Sequence, residues 1–138
     1  MKKILIAVTL FIVAFSMNAQ IAKPVEDFDA NAPIFQFEEE VIDYGKIKKD
    51  ADGNRVFKFK NTGGSPLIIT QTKGSCGCTV PTYQKEPIMP GETGEIKVKY
   101  ATNRVGRFSK TVTITSNASE PKKVVRIKGE VLKLEESK

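Results

Sequence analysis

Both cysteines of this chain lie one residue apart, in Cys76-Gly77-Cys78, and the chain has no histidine. Two thiols held that close can form a local disulfide, exchange with another thiol, or clamp a soft ion such as copper(I). As a staple the pair is weak. Closing a loop of about 3 residues stabilises by only ~1.6 kcal/mol in the chain-entropy account, against roughly 3 kcal/mol for a loop of about 15. On an extended strand the two side chains share one face, with Cα atoms about 6.6–6.8 Å apart, the upper edge of what a disulfide tolerates. Gly77 frees the backbone to bend and bring them closer.

Lys73 stands near enough in sequence to lower a thiol pKa, and the flanking glycines leave room for access. Thioredoxin-like chemistry, however, puts two residues between its cysteines at a helix N-terminus, and neither condition is met. A local disulfide or packed structural thiols is therefore the favoured reading of Cys76 and Cys78. Redox exchange and copper(I) binding with Met89 as a third, thioether ligand are the alternatives. Without histidine the Ser-His-Asp and Cys-His arrangements cannot exist. Glu38-Glu39-Glu40 reads as a solvated acidic run. Asp50-Ala51-Asp52-Gly53-Asn54 lacks the glycine and glutamate positions of a calcium loop and reads as a hairpin-type turn. A structural zinc site wants four ligands, and two thiolates do not supply them. The sequence predicts no enzyme and no cofactor.

The elements that position this pair are strands. Residues 1–19 have the plan of a secretory signal peptide: Lys2 and Lys3, an apolar run from Ile4 to Phe15, and a short polar exit ending at Ala19. The run is too short for a comfortable transmembrane helix, so no stable membrane insertion is expected after cleavage. Cleavage before Gln20 leaves about 120 residues, enough for one domain with one core. Residues 20–33 read as a flexible polar arm, 34–134 as the domain, and 135–138 as a tail. Phe57 and Phe59 alternate with Lys58 and Lys60; Ile96, Val98 and Tyr100 alternate with Glu95, Lys97 and Lys99; Val112 and Ile114 alternate with Thr111, Thr113 and Thr115. Leu67-Ile68-Ile69 reads as a strand covered on both faces, and Gly129 as a bulge position. Six or seven such strands with turn signals between them predict an all-β, immunoglobulin-like seven-stranded β-sandwich, with a closed barrel as the alternative.

The formal net charge is +6. The lysines alternate along strands rather than clustering around aromatic platforms, which argues against a nucleic-acid partner.

Ser75-Cys76-Gly77-Cys78-Thr79-Val80-Pro81 and the following Pro87-Ile88-Met89-Pro90-Gly91-Glu92 resemble an exported bacterial family, domain of unknown function 1573. Asp43-Tyr44-Gly45-Lys46-Ile47, Phe59-Lys60-Asn61-Thr62-Gly63, Gly106 to Lys110, Ser116-Asn117-Ala118 and Ile127 to Val131 look like its other elements. The resemblance runs from about Phe35 to Val131. That family is similar in pattern to the seven-stranded modules of major sperm protein and the cilia-associated sandwiches, mostly non-enzymatic adaptors. The resemblance thus implies a sandwich and carries over no catalytic residue. The resulting expectation is an exported adaptor, periplasmic or extracellular, that binds an envelope or extracellular protein. Edge-strand addition is its natural mode, and the loop from Lys73 to Gly91 its recognition surface. Lys73, Thr79, Tyr83 and Ile88 are the candidate partner-facing residues.

Overall fold

The computed structural model describes residues 29–134. The expected signal peptide, most of the polar arm and the tail lie outside the described residues. Eight strands form: β1 Phe35–Phe37, β2 Val41–Lys48, β3 Asn54–Asn61, β4 Ile69–Gly74, β5 Thr79–Tyr83, β6 Thr93–Tyr100, β7 Gly106–Ser116 and β8 Lys122–Leu132. They make two four-stranded sheets, in the orders β1-β3-β6-β5 and β2-β8-β7-β4. The two sheets form a sandwich. Every pairing is antiparallel except β2 with β8.

The alternation read from the sequence explains the layers. Phe57, Phe59, Ile96, Val98 and Tyr100 from one sheet face Val112, Ile114, Val125, Ile127 and Val131 from the other, all buried. The charged residues between them point to solvent, as a sheet with one wet face requires.

Where seven strands were expected there are eight: Thr79–Tyr83, in the segment expected to be a loop, forms β5 on the edge of one sheet. β1 and β2, which lie in different sheets, are separated by the exposed run Glu38-Glu39-Glu40, which cannot enter a dry interior. Glu38 N–H donates to Lys58 O in one sheet (3.0 Å), and Glu40 O accepts from Arg126 N–H in the other (2.8 Å). Three other expectations are corrected. Leu67-Ile68-Ile69 is not covered on both faces: Leu67 and Ile69 are buried while Ile68, just ahead of β4, is 40% exposed, because a two-layer sandwich covers each sheet on one face only. The bulge near Gly129 sits in the neighbouring strand instead. The β2–β8 register slips between Asp43 and Lys46, where Gly45 takes a φ of 64°, while β8 keeps its phase through Gly129 against Phe108. The turn after Lys48 is no hairpin within a sheet; it carries the chain from β2 in one sheet to β3 in the other.

Asn61 is the buried polar centre of one end, with no exposed surface. Its Nδ2 donates to Ser65 O (2.8 Å) and Ile88 O (2.9 Å), and its Oδ1 accepts from Ile34 N–H (3.2 Å) and Gly63 N–H (3.0 Å). The amide therefore pairs with backbone groups of three separate segments, sharing Ile88 O with the Leu67 N–H. At the other end Tyr100 stacks on Phe108 with centroids 3.8 Å apart, and Tyr44 meets Phe108 edge-on at 5.2 Å. The Tyr44 hydroxyl donates to Gly53 O (2.8 Å), and Arg55 lies over the Tyr44 ring at 4.2 Å.

Asn61→Ala should cost about 3 kcal/mol in urea unfolding, since it removes four hydrogen bonds made by one fully buried side chain at once. Asn61→Asp should also destabilise at neutral pH, because a carboxylate cannot donate to Ser65 O and Ile88 O. Burial also pushes the Tyr44 hydroxyl from 10.0 up to about 12. Its folded pKa is raised, so its contribution is full below the unfolded pKa of about 10 and is lost as pH rises toward the folded value. Wild-type stability should therefore fall more steeply than that of Tyr44→Phe between about pH 10 and 12, read as the shift in urea midpoint across that range.

Candidate functional site

The segment from Gly74 to Thr79 is the crossover from β4, an edge of one sheet, to β5, an edge of the other. Ser75 N–H donates to Thr111 O (2.9 Å) and Thr111 N–H returns a bond to Ser75 Oγ (3.2 Å), which continues the β4–β7 ladder past the end of β4. The chain then folds on itself: Thr79 N–H reaches back to Cys76 O (3.2 Å), and Cys78 O accepts from Ala101 N–H (2.9 Å). That turn brings the cysteine Cα atoms to 5.2 Å, nearer than an extended strand allows, and the two sulfurs are joined in a disulfide.

The two cysteines are not equivalent. Cys78 is 3% exposed and belongs to the core, whereas Cys76 is only partly buried. Thr79, also 3% exposed, places its hydroxyl 3.7 Å from Cys76 Sγ and 3.8 Å from Cys78 Sγ. Gly77 is open: a Cβ there would meet nothing within 4 Å. Gly74 is the opposite case, since a Cβ would fall 2.1 Å from Thr79 O. The crossover needs a glycine there for β4 and β5 to approach. Tyr83 completes the closure, its hydroxyl donating to Thr70 O across the two edges (2.8 Å).

These positions redistribute the expected site residues. Lys73 is exposed and pairs with Thr113, on the face of β4 opposite to that of Cys76, so it does not act on the thiols. Thr79 and Ile88 are interior; Ile88 is 1% exposed and exchanges backbone bonds with Leu67 (2.8 and 2.9 Å). Neither is positioned at the surface, and Ile88 fills the core instead. Tyr83 is half-buried and already bonded. The copper(I) trio of Cys76, Cys78 and Met89 is not assembled. Met89 stands in the turn that leads into β6, and Cys78 binds the residue after its far end, with eight extended residues, roughly 25 Å, between them. Among the described residues no group of three or more His, Cys, Asp or Glu could hold a metal ion.

The residue that sequence reasoning missed is Lys110. It shares the phase of buried Phe108 and Val112, and the period-2 pattern of β7 carried that signal. With Gly74 opposite Val112 and Ser75 bonded to Thr111, Lys110 is the next residue of β7 beyond the end of the β4 ladder, where the chain turns at Cys76.

A second feature lies across the molecule. Beside the bulge of β2 is a shallow groove of about 580 Å³, lined by Asp43, Gly45, Lys46, Arg107, Lys128 and Glu130 among others. Gly129 forms its floor, since a Cβ there would come within 2.8 Å of Tyr44 Cβ and 2.9 Å of the Phe108 ring. Its rim carries the exposed pairs Lys128–Asp43 (3.5 Å) and Arg107–Glu130 (3.8 Å). The Gly45 N–H, and to a lesser degree Lys128, hold the Asp43 carboxyl below its usual range.

Two sheets in these orders form a β-sandwich similar in architecture to immunoglobulin-like and PapD-like domains. The chain belongs to the family described as "Protein of unknown function (DUF1573)", which matches residues 35–131. No curated protein matches it. Among solved structures it is similar to a protein of unknown function from Porphyromonas gingivalis W83, at 14% identity and TM-score 0.64, covering 73% of this chain and 48% of that one. It is similar to PapD-like domain 7 of human CEP192, at 7% identity and TM-score 0.62, over 86% of this chain and 97% of that domain. A third similarity is to a chain of the CsuC-CsuE chaperone-tip adhesion subunit pre-assembly complex of Acinetobacter baumannii, at 12% identity and TM-score 0.55, covering 72% and 52%. The chain thus spans about half the length of the Porphyromonas protein. At these identities the likeness is one of fold.

Gly74→Ala should destabilise by about 2 kcal/mol or more, because the crossover has to open to admit a methyl group. Gly77→Ala should change stability by no more than about 0.5 kcal/mol. Urea unfolding of the two variants side by side reads the contrast.

Proposed function

We propose that this domain is a non-enzymatic binding adaptor, exported to the cell envelope, which holds an extended segment of a partner protein along the outer edge of β2. The observation that carries the reading is the inequality of the two sides of the sandwich. On one side β4 and β5 are tied together by the Cys76–Cys78 crossover and by Tyr83, and Pro81 removes a backbone donor from β5. On the other, β2 pairs with β8 alone, so its outer backbone groups have no neighbouring strand in the sheet. β1, the neighbouring edge of the other sheet, is three residues long.

Strand addition supplies main-chain bonds, and a groove beside the edge supplies the choice of side chains. The groove of Asp43, Lys46, Arg107, Lys128 and Glu130 lies against the β2 bulge and offers both charges. The bulge at Asp43–Lys46 interrupts the edge and the charged Lys46 and Lys48 flank it, which disfavours endless pairing between copies while leaving short stretches for a partner. The expected signal peptide supports export. A chaperone–subunit assembly among the proteins of similar fold supports protein binding as the use of this sandwich. This reading moves the recognition surface from the Lys73–Gly91 loop, whose Thr79 and Ile88 are interior, to the opposite side.

Affinity capture from the native envelope fraction, followed by mass spectrometry, tests it. Wild-type protein beginning at Gln20 should retain a specific partner. Lys46→Glu combined with Arg107→Glu should lose at least about nine-tenths of it with the melting temperature unchanged, since both side chains are exposed. Equal capture by the variant counts against the β2 groove.

A further inference from the structure

A disulfide that closes so small a loop constrains the unfolded chain very little, so opening it costs the fold little. The surroundings of this one are nonetheless specific. The Thr79 hydroxyl is buried, and among the described residues its hydrogen-bond partners are the two sulfurs and nothing else, at 3.7 and 3.8 Å. Cys76 is partly exposed beside Gly77, whose outer side is empty, while Cys78 lies in the core. Lys110 is the β7 residue next after Thr111, to which Ser75 is bonded as the chain leaves the ladder for Cys76, and among the described residues Lys110 joins no salt bridge. An accessible sulfur, a leaving sulfur, a hydroxyl aimed at both and an unspent cation are the parts that thiol–disulfide exchange uses.

We propose that Cys76–Cys78 is an exchangeable disulfide that oxidises dithiols of other proteins, with Cys76 Sγ the sulfur attacked and Thr79 and Lys110 the residues that position the released charge. A substrate thiolate attacks Cys76 Sγ. The new bond joins the substrate sulfur to Cys76, the Cys76–Cys78 bond breaks, and the electron pair leaves on Cys78 Sγ, toward which the Thr79 hydroxyl donates. That thiolate takes a proton from solvent. The second substrate thiolate then attacks the first substrate sulfur, closes the substrate disulfide and displaces Cys76 Sγ as a thiolate on the side of Lys110, where it too is protonated. The substrate dithiol has lost two electrons and two protons, and Cys76 and Cys78 have gained them as two thiols. This activity stands independently of the β2 edge, which lies on the other side of the sandwich.

The experiment uses the full chain in its oxidised form, with dithiothreitol as the probe dithiol and reduced glutathione as the probe monothiol. Alkylation and peptide mass spectrometry read the thiols. One equivalent of oxidised dithiothreitol should form per protein with the circular dichroism and melting temperature retained, and the glutathione adduct should map to Cys76. Thr79→Val should slow exchange about tenfold, as loss of a hydrogen bond to a developing thiolate predicts, and Thr79→Ser should restore it. In the reduced protein, Lys110→Gln should move the alkylation midpoint of Cys76 to higher pH; the other ionisable groups nearby, Tyr100 on β6 and Arg104 in the following turn, are unchanged in that variant. Reduction that waits for global unfolding overturns the proposal. So do Thr79→Val and Lys110→Gln variants indistinguishable from wild type in rate and pH profile.

Discussion

One end of this sandwich is organised by a single primary amide in the dry interior. Asn61 ends β3, yet its side chain answers for Ile34 before β1, for Gly63 and Ser65 in the loop that follows, and for Ile88 in the irregular segment before β6. Asparagine fits because it offers two donors and an acceptor of two lone pairs on one flat group; no hydroxyl or carboxylate matches that count. With the loop pinned, Leu67 and Ile88 can bridge their backbones and fill the core, and β4 starts at the right height to meet β7. The crossover that carries the cysteines is placed by that start. The geometry at Cys76 and Cys78 is therefore set partly by an amide at the opposite end of the strands.

Much of the architecture was legible in the sequence because a half-buried sheet writes itself as alternation. Phe57/Phe59, Ile96/Val98/Tyr100 and Val112/Ile114 all face inward as their period demands. What was not legible depends on which strand stands next to which. β5, Thr79–Tyr83, lay in the segment expected to be a loop, because Pro81 interrupts it and its partner β6 comes only after a further turn. The bulge near Gly129 was located to the right place in space and the wrong strand, since a glycine can mark either the bulge or the close approach opposite it. The site was legible in part. The spacing of the cysteines showed a weak local loop, but Lys73 and Lys110 could be ranked only once the ladder had put one on the far face and the other just past its end.

The two sides of the sandwich treat their edges differently. β4 and β5 spend their edges on each other, through a glycine that permits contact, a disulfide that holds the crossover and a tyrosine that ties Thr70. β1 is kept short, and β2 is bent by a bulge and dressed with charge. These are the ordinary means by which β proteins avoid sticking to copies of themselves. They also sort the molecule into a covalently closed side, where a disulfide sits against the core, and an open side with an unpaired, charged edge.

The parallel pairing of β2 with β8 has a consequence in time. The strand that opens the second sheet has as its only neighbour the strand that closes the domain, more than seventy residues later. Until β8 has arrived, β2 has nothing to pair with and β7 lacks its principal partner, so the second sheet cannot assemble piecemeal along the chain. Contacts of such wide sequence separation make for slow, concerted folding. Delivered end first, the chain would have every strand of its first sheet once Tyr100 had emerged, but those of its second only once Leu132 had.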